Sequence, residues 1–168
     1  MLSLEMLGLQ ARHNTWINRR LYAVCAEMRD EERKRDLGAF FRSIHGTFNH
    51  LLLADRIWLA RLLDRPFVVR SLAQELYADY DELCREREHT DTEIEAFVSS
   101  LDESDLQSIL EYHSIAAREL RRLPILVVLT HLFHHQTHHR GQLTTLIGQL
   151  GYDFGETDLI LMPGINQA

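Results

Sequence analysis

The sequence predicts an all-α four-helix bundle. Three observations carry that prediction. The 168 residues include only eight glycines and three prolines, so long uninterrupted segments should outnumber turns. Four stretches repeat apolar residues at helical spacing and keep their outer faces polar. Apolar residues make up 45% and charged residues 26%, an ordinary water-soluble balance, and the length suits one domain over residues 1–168. A chain of this size buries enough surface to fold without a disulfide or metal staple.

The first helix is expected over residues 2–28, with Met6, Ile17, Leu21, Val24 and Met28 on its stripe. The charged run RDEERKRD after it reads as a solvated connection or a helix start. Residues 37–63 read as the central helix, because Phe40, Phe41, Ile44, Phe48, Leu51–Leu53, Ile57, Trp58 and Leu62 make it apolar nearly all round. Asp64-Arg65-Pro66 stops it. Ser71-x-x-Gln74 has the form of a capping box and would open a third helix running to about residue 101. Thr90-x-x-Glu93 repeats the box and leaves room for a kink. The segments QSILEYHS and IAAREL suit either a short hairpin or an irregular bridge. Pro124 suits the first turn of a fourth helix, which ends at Leu150 with Gly151 as the residue beyond its cap. The remaining tail reads as loop, with an apolar patch that should pack down.

Charge and composition exclude several functions. The net charge is −7, and Lys34 is the lone lysine beside seventeen arginines with no basic patch, so nucleic acid is not an expected partner. No P-loop lysine is present, and HExxH, paired ExxH and GxSxG motifs are missing. Cys25 and Cys84 are isolated within helical segments and read as buried thiols in a reducing compartment. No run of 18 apolar residues occurs, and the N-terminus lacks a charged segment followed by an apolar one. A cytoplasmic protein without a membrane span is therefore expected.

Histidine is the anomaly: there are ten, five of them between residues 131 and 139. Histidines four apart share a helical face and can share an ion. With His135 set to zero on a helical wheel, His139 falls near 40° among Val128, Leu132, Leu143 and Leu146, whereas His134 and His138 fall at about −100° and −60°. His135 and His139 are therefore the inward pair, with His131 and Gln142 on the rim. On the central helix, His50 shares its side with Leu53, Ala54, Ile57 and Trp58, while His45 groups with Arg42, Asn49 and Arg56. His50 is read as the inward histidine. Asp55 reads as a partner for an arginine rather than a ligand.

Bland readings stand beside these. A single buried histidine is most often a satisfied core residue, and the histidine run also reads as a solvated face or a nonspecific metal-binding tract. Two inward imidazoles side by side, however, need partners for their ring nitrogens, and each one left unpaired costs about 1–3 kcal/mol. A shared metal ion supplies those partners.

HGTFNHLLLADRIWLARL at 45–62 and HLFHHQTHHRGQLTTLI at 131–147, supported by NTWINRRLY at 14–22 and TDLILMPG at 157–164, resemble the DinB family. The resemblance implies a four-helix bundle, a divalent metal held by three histidines, and a homodimer. Its pattern puts the ligands on His50, His135 and His139, the trio chosen by the wheel. The family's aromatic in the first helix is replaced here by His13, beside Asn14. His13 is read as a core histidine or a polar group near the site, and Gln142, His131, His13 and Asn14 are candidates to support the ligands.

Three neutral imidazoles without a carboxylate leave a position for water or substrate, as catalytic rather than closed structural sites do. Zinc or nickel suits all-imidazole ligation. Through the wider superfamily, the resemblance implies chemistry on a low-molecular-weight thiol. The expectation is thus a metal-dependent enzyme of the thiol S-transferase or hydrolase type. The alternative is a non-catalytic metal-binding protein of the damage or stress response. An accessible pocket at the metal would favour the first, and a filled, dry site the second.

Overall fold

A computed structural model describes residues 2–165. Four long helices build the bundle: α1 (Leu2–Ala26), α3 (Ile44–Leu62), α4 (Tyr80–Ser100) and α5 (Ile125–Gln149), with a short α2 (Asp30–Lys34) in the charged run. α1 packs on α4 and α5, and α3 packs on the same two helices. Two strands, β1 (Ile109–His113) and β2 (Leu120–Pro124), form an antiparallel hairpin before α5, which selects the hairpin over the irregular bridge. Among the described residues, no helix is long and apolar enough to cross a membrane.

Two helix starts differ from expectation, for local reasons. α3 begins at Ile44 rather than near residue 37, because Ser43 caps it by accepting a hydrogen bond from the Gly46 amide at 3.0 Å. Residues 37–42 instead form a loop with positive φ at Gly38 and Arg42. That loop lies so close to the helix that a Cβ on Gly46 would overlap the Phe41 carbonyl oxygen. Only glycine allows the approach.

The helix expected from residue 71 begins at Tyr80, capped by Asp79 accepting from the Glu82 amide at 2.8 Å. The backbone of the preceding segment is bound to α3 instead. Asn49 Oδ1 accepts from the amides of Leu76 (2.8 Å) and Tyr77 (2.9 Å). His45 Nε2 donates to the Tyr77 carbonyl at 2.9 Å and His50 Nδ1 to the Leu72 carbonyl at 2.9 Å. Backbone groups committed to these side chains cannot also enter a helical ladder. His45, read as outward, is accordingly buried under this strap. α4 runs through Thr90 as one helix. At the other end, Gly151 follows the cap of α5 at φ +84°, as expected. In the tail Met162 is buried, but Ile160 and Leu161 stay exposed.

The core is split into two apolar clusters by a polar layer. Ile17, Leu21, Phe48, Leu52, Leu83 and Leu143 belong to one cluster; Leu7, Leu59, Ile94, Leu129 and Phe133 belong to the other. Between them in every long helix lie buried polar residues: Asn14 and Asn18, Asp55, Arg87 and Asp91, Gln136 and Arg140. Arg87 donates to Asp55 at 2.7 Å and lies 2.8 Å from Asp91. Asn14 (3.0 Å) and Asn18 (3.1 Å) also donate to Asp91, while Gln136 bonds Asp55 and Arg140 bonds Asn14. Two carboxylates and two guanidiniums thus meet in one sealed network. Burial pushes both carboxyls upward and Arg87 opposes it; burial also lowers Arg140 to about 10.

Candidate metal centre

The polar layer also orients α5. Gln136 and Arg140 occupy the middle of its buried stripe, so His135 and His139, one residue earlier in each case, lie on the edge of that stripe. From that edge they meet His50 of α3. One ring nitrogen from each of His50, His135 and His139 falls within 4.8 Å of the other two. His50 and His139 are buried, and His135 is half-buried. The Nε2 atoms of His50 and His135 are 3.2 Å apart, close to the roughly 3.4 Å separating two nitrogens that share a tetrahedral zinc ion.

Hydrogen bonding decides which nitrogens are available. The His50 Nδ1–H is engaged by the Leu72 carbonyl, which leaves the Nε2 lone pair facing the centre. His139 Nδ1–H donates to Gln142 Oε1 at 2.8 Å, and the Gln142 amide nitrogen donates to His138 Nε2 at 3.3 Å. Gln142 thereby fixes the His139 tautomer with Nε2 bare. Burial depresses all three imidazoles, His50 to about 4 and His135 to about 3, with the neighbouring rings adding to the effect. Neutral imidazoles with convergent lone pairs are the donor set a divalent transition metal requires. Phe41 closes one side, stacked on His50 with ring centroids 3.7 Å apart and edge-on to His139 at 5.5 Å.

The other expected residues fall at graded distances from this centre. His131 reaches its edge, with its ring 5.9 Å from His135 and 5.3 Å from Trp58. His13 donates instead to the Thr157 carbonyl of the tail at 3.1 Å, and Asn14 joins the buried charge network. His134 and His138 are exposed. Asp55 pairs with Arg87, as its reading as an arginine partner anticipated.

A cavity of about 370 Å³ opens beside the trio. His50 and His135 form one end, α3 supplies Ala54, Ile57, Trp58 and Arg61, and the hairpin roofs it with Tyr112, Arg121 and Leu123. Tyr112 and Arg121 are directly paired across the two strands, so the register delivers both to the same face. The sequence reading assigned no role to Phe41, to the strap carbonyls or to this roof. Their contribution depends on pairings between distant segments.

These features define a helical-bundle protein with a pocketed cluster of three imidazoles that could hold a metal ion. The sequence model of the DinB family matches residues 3–166, and the chain belongs to the DinB family. It is 22% identical over 150 residues to Protein DinB of Bacillus subtilis (strain 168), covering 87% of each chain. Its fold is similar to the crystal structure of a DinB-like protein from Bacillus cereus ATCC 10987, with a TM-score of 0.64, 18% identity, and 84% of this chain and 91% of that chain covered.

Proposed function

We propose that His50, His135 and His139 bind one divalent transition metal, zinc or nickel, and that the protein is a metal-dependent enzyme. The observation that carries this reading is the cavity at the trio, walled by His50 and His135. Three protein ligands leave a coordination position, and the cavity supplies space for an occupant there. When bound, the metal supplies Lewis acidity that lowers the pKa of a coordinated water or thiol. The residues around the trio have separate tasks. Leu72 and Gln142 hold two ligand rings by their Nδ1–H groups, Phe41 shields one side from water, and Trp58 and Tyr112 form an apolar wall for the substrate. This arrangement suits transfer or hydrolysis at a substrate such as a low-molecular-weight thiol conjugate.

The test is a cobalt-substituted protein titrated with azide and with a small thiol. Changes in the visible cobalt spectrum with both ligands support an open position. A spectrum indifferent to both, in protein carrying stoichiometric cobalt, contradicts it. The proposed active species is a homodimer, for which exposed Phe40, Val68 and Ile160 supply apolar surface. Light scattering should give twice the 19.7 kDa of one chain; a monomer at micromolar concentration contradicts the dimer.

A further inference from the structure

Arg61 is the unexplained group in the cavity. Its guanidinium is half-buried, with the Trp58 ring centroid at 4.7 Å and that of Tyr112 at 4.3 Å. Among the described residues it donates one hydrogen bond, to the His113 carbonyl at 3.1 Å, although a guanidinium carries five N–H donors. Four other arginines of α3, the segment after it and the hairpin have carboxylates: Arg56 pairs with Glu86, Arg65 with Glu93, Arg121 with Glu119 and Arg122 with Glu111. Among the described residues, no such ion pair is formed by Arg61. Burial lowers its pKa from the ordinary value, the direction expected of a cation without an anion.

The cavity lining contains two arginines, Arg61 and Arg121, and no acidic residue. Arg61 and Arg65 also border a second, more polar cavity, but Asp64 and Glu111 share that one and would repel an anion. An anionic group therefore belongs on the side of the histidine trio. Along α3, Arg61 follows His50 by eleven residues, which is about 16 Å of rise and only about 20° of rotation. Ala54, Ile57 and Trp58 line the cavity between them. An occupant reaching from one end to the other is elongated and apolar in its middle.

We infer that this cavity takes an elongated amphiphilic organic carboxylate, with its acid group on Arg61 and its apolar body along Ala54, Ile57 and Trp58. Its other end then lies at His50 and His135. That last placement deepens the proposed metal reading and rests on it for its chemical meaning, whereas the pairing with Arg61 is independent of any metal.

Calorimetric titration of chelated, metal-free protein with hexanoate, hexanamide and acetate tests the pairing. Hexanoate should bind at least about tenfold more tightly than the neutral amide or the short acid, as a charge-assisted contact added to apolar burial requires. Arg61→Met, which keeps an apolar stem over Trp58, should abolish the advantage of acid over amide, and Arg122→Gln should preserve it. Hexanoate should shift the ring resonances of His135 and leave those of His134 unchanged. Equal affinity for acid and amide in the wild-type protein, or no hexanoate binding at millimolar concentration, overturns the proposal without needing any variant to fold. An unmoved His135 resonance overturns the placement. Elemental analysis of the same protein before chelation reports separately on the metal, so failure of one reading does not mask failure of the other.

Discussion

Asp55 of α3 accepts a hydrogen bond from Arg87 of α4 at 2.7 Å, with both residues sealed from water. The pair is the hub of the polar layer, which reaches α5 through Gln136 and α1 through Asp91 and its two asparagines. Removing the cation strands two buried carboxylates. Arg87→Met is expected to destabilise the fold by about 3–5 kcal/mol, read as a lowered urea midpoint. A loss below about 1 kcal/mol, as for an exposed ion pair, would show that the layer is solvated.

Gly46 lets the loop before α3 place Phe41 against His50. Gly46→Ala must push that loop away, so destabilisation of about 1–3 kcal/mol is expected, as for an overpacked core site. NMR should show loss of the ring-current shift of His50. A variant with native stability and an unmoved His50 signal contradicts the close approach.

Much of the trio was legible because its signal is local. His135 and His139 stand four residues apart beside a leucine stripe, and His50 shares a helical side with Leu53 and Ile57. The polar layer had a local signal too, which the apolar pattern obscured. Asn14/Asn18, Arg87/Asp91 and Gln136/Arg140 are all spaced i, i+4, and such pairs interrupting the core stripes of three helices could have been read as one buried layer. His45 was misplaced because its burial depends on a strap about thirty residues away. The same strap explains why Ser71-x-x-Gln74 caps no helix: Gln74 Oε1 accepts instead from the Arg70 amide at 2.7 Å, within a turn. Nothing in the local sequence reveals that the carbonyls of Leu72 and Tyr77 will accept hydrogen bonds from histidines of α3. The cavity roof was illegible for the same reason, since the strand pairing brings Tyr112 and Arg121 together.

Gln142 supports His139 without lying among the three rings. Gln142→Leu removes the acceptor for Nδ1–H and should weaken metal binding about 10–100-fold, measured by competition with a chromophoric chelator. Gln142→Glu keeps an acceptor and should retain tight binding. Unchanged affinity in the leucine variant contradicts the positioning role.

Metal-free protein should lose stability in acid through the trio. Histidine takes up protons near pH 6.5 in the unfolded chain, whereas His50 and His135 are held to about 4 and about 3 in the fold. Between those limits the unfolded state binds more protons, so stability rises with pH and levels off above about 6.5. Urea midpoints should fall from pH 7 to pH 5, and the double variant His50→Gln/His135→Gln should flatten that slope. An unchanged slope would assign the acid sensitivity elsewhere.

The most direct test of the central claim is elemental analysis of protein purified without a metal-affinity tag, compared across single histidine variants. Wild-type protein should hold about one zinc or nickel ion per chain, as one three-imidazole site requires. His50→Ala, His135→Ala and His139→Ala should each abolish stoichiometric metal while leaving a folded bundle. His134→Ala and His138→Ala, which alter exposed rings, should keep it. Metal lost equally from the exposed-ring variants, or retained in folded His139→Ala protein, would contradict the assignment.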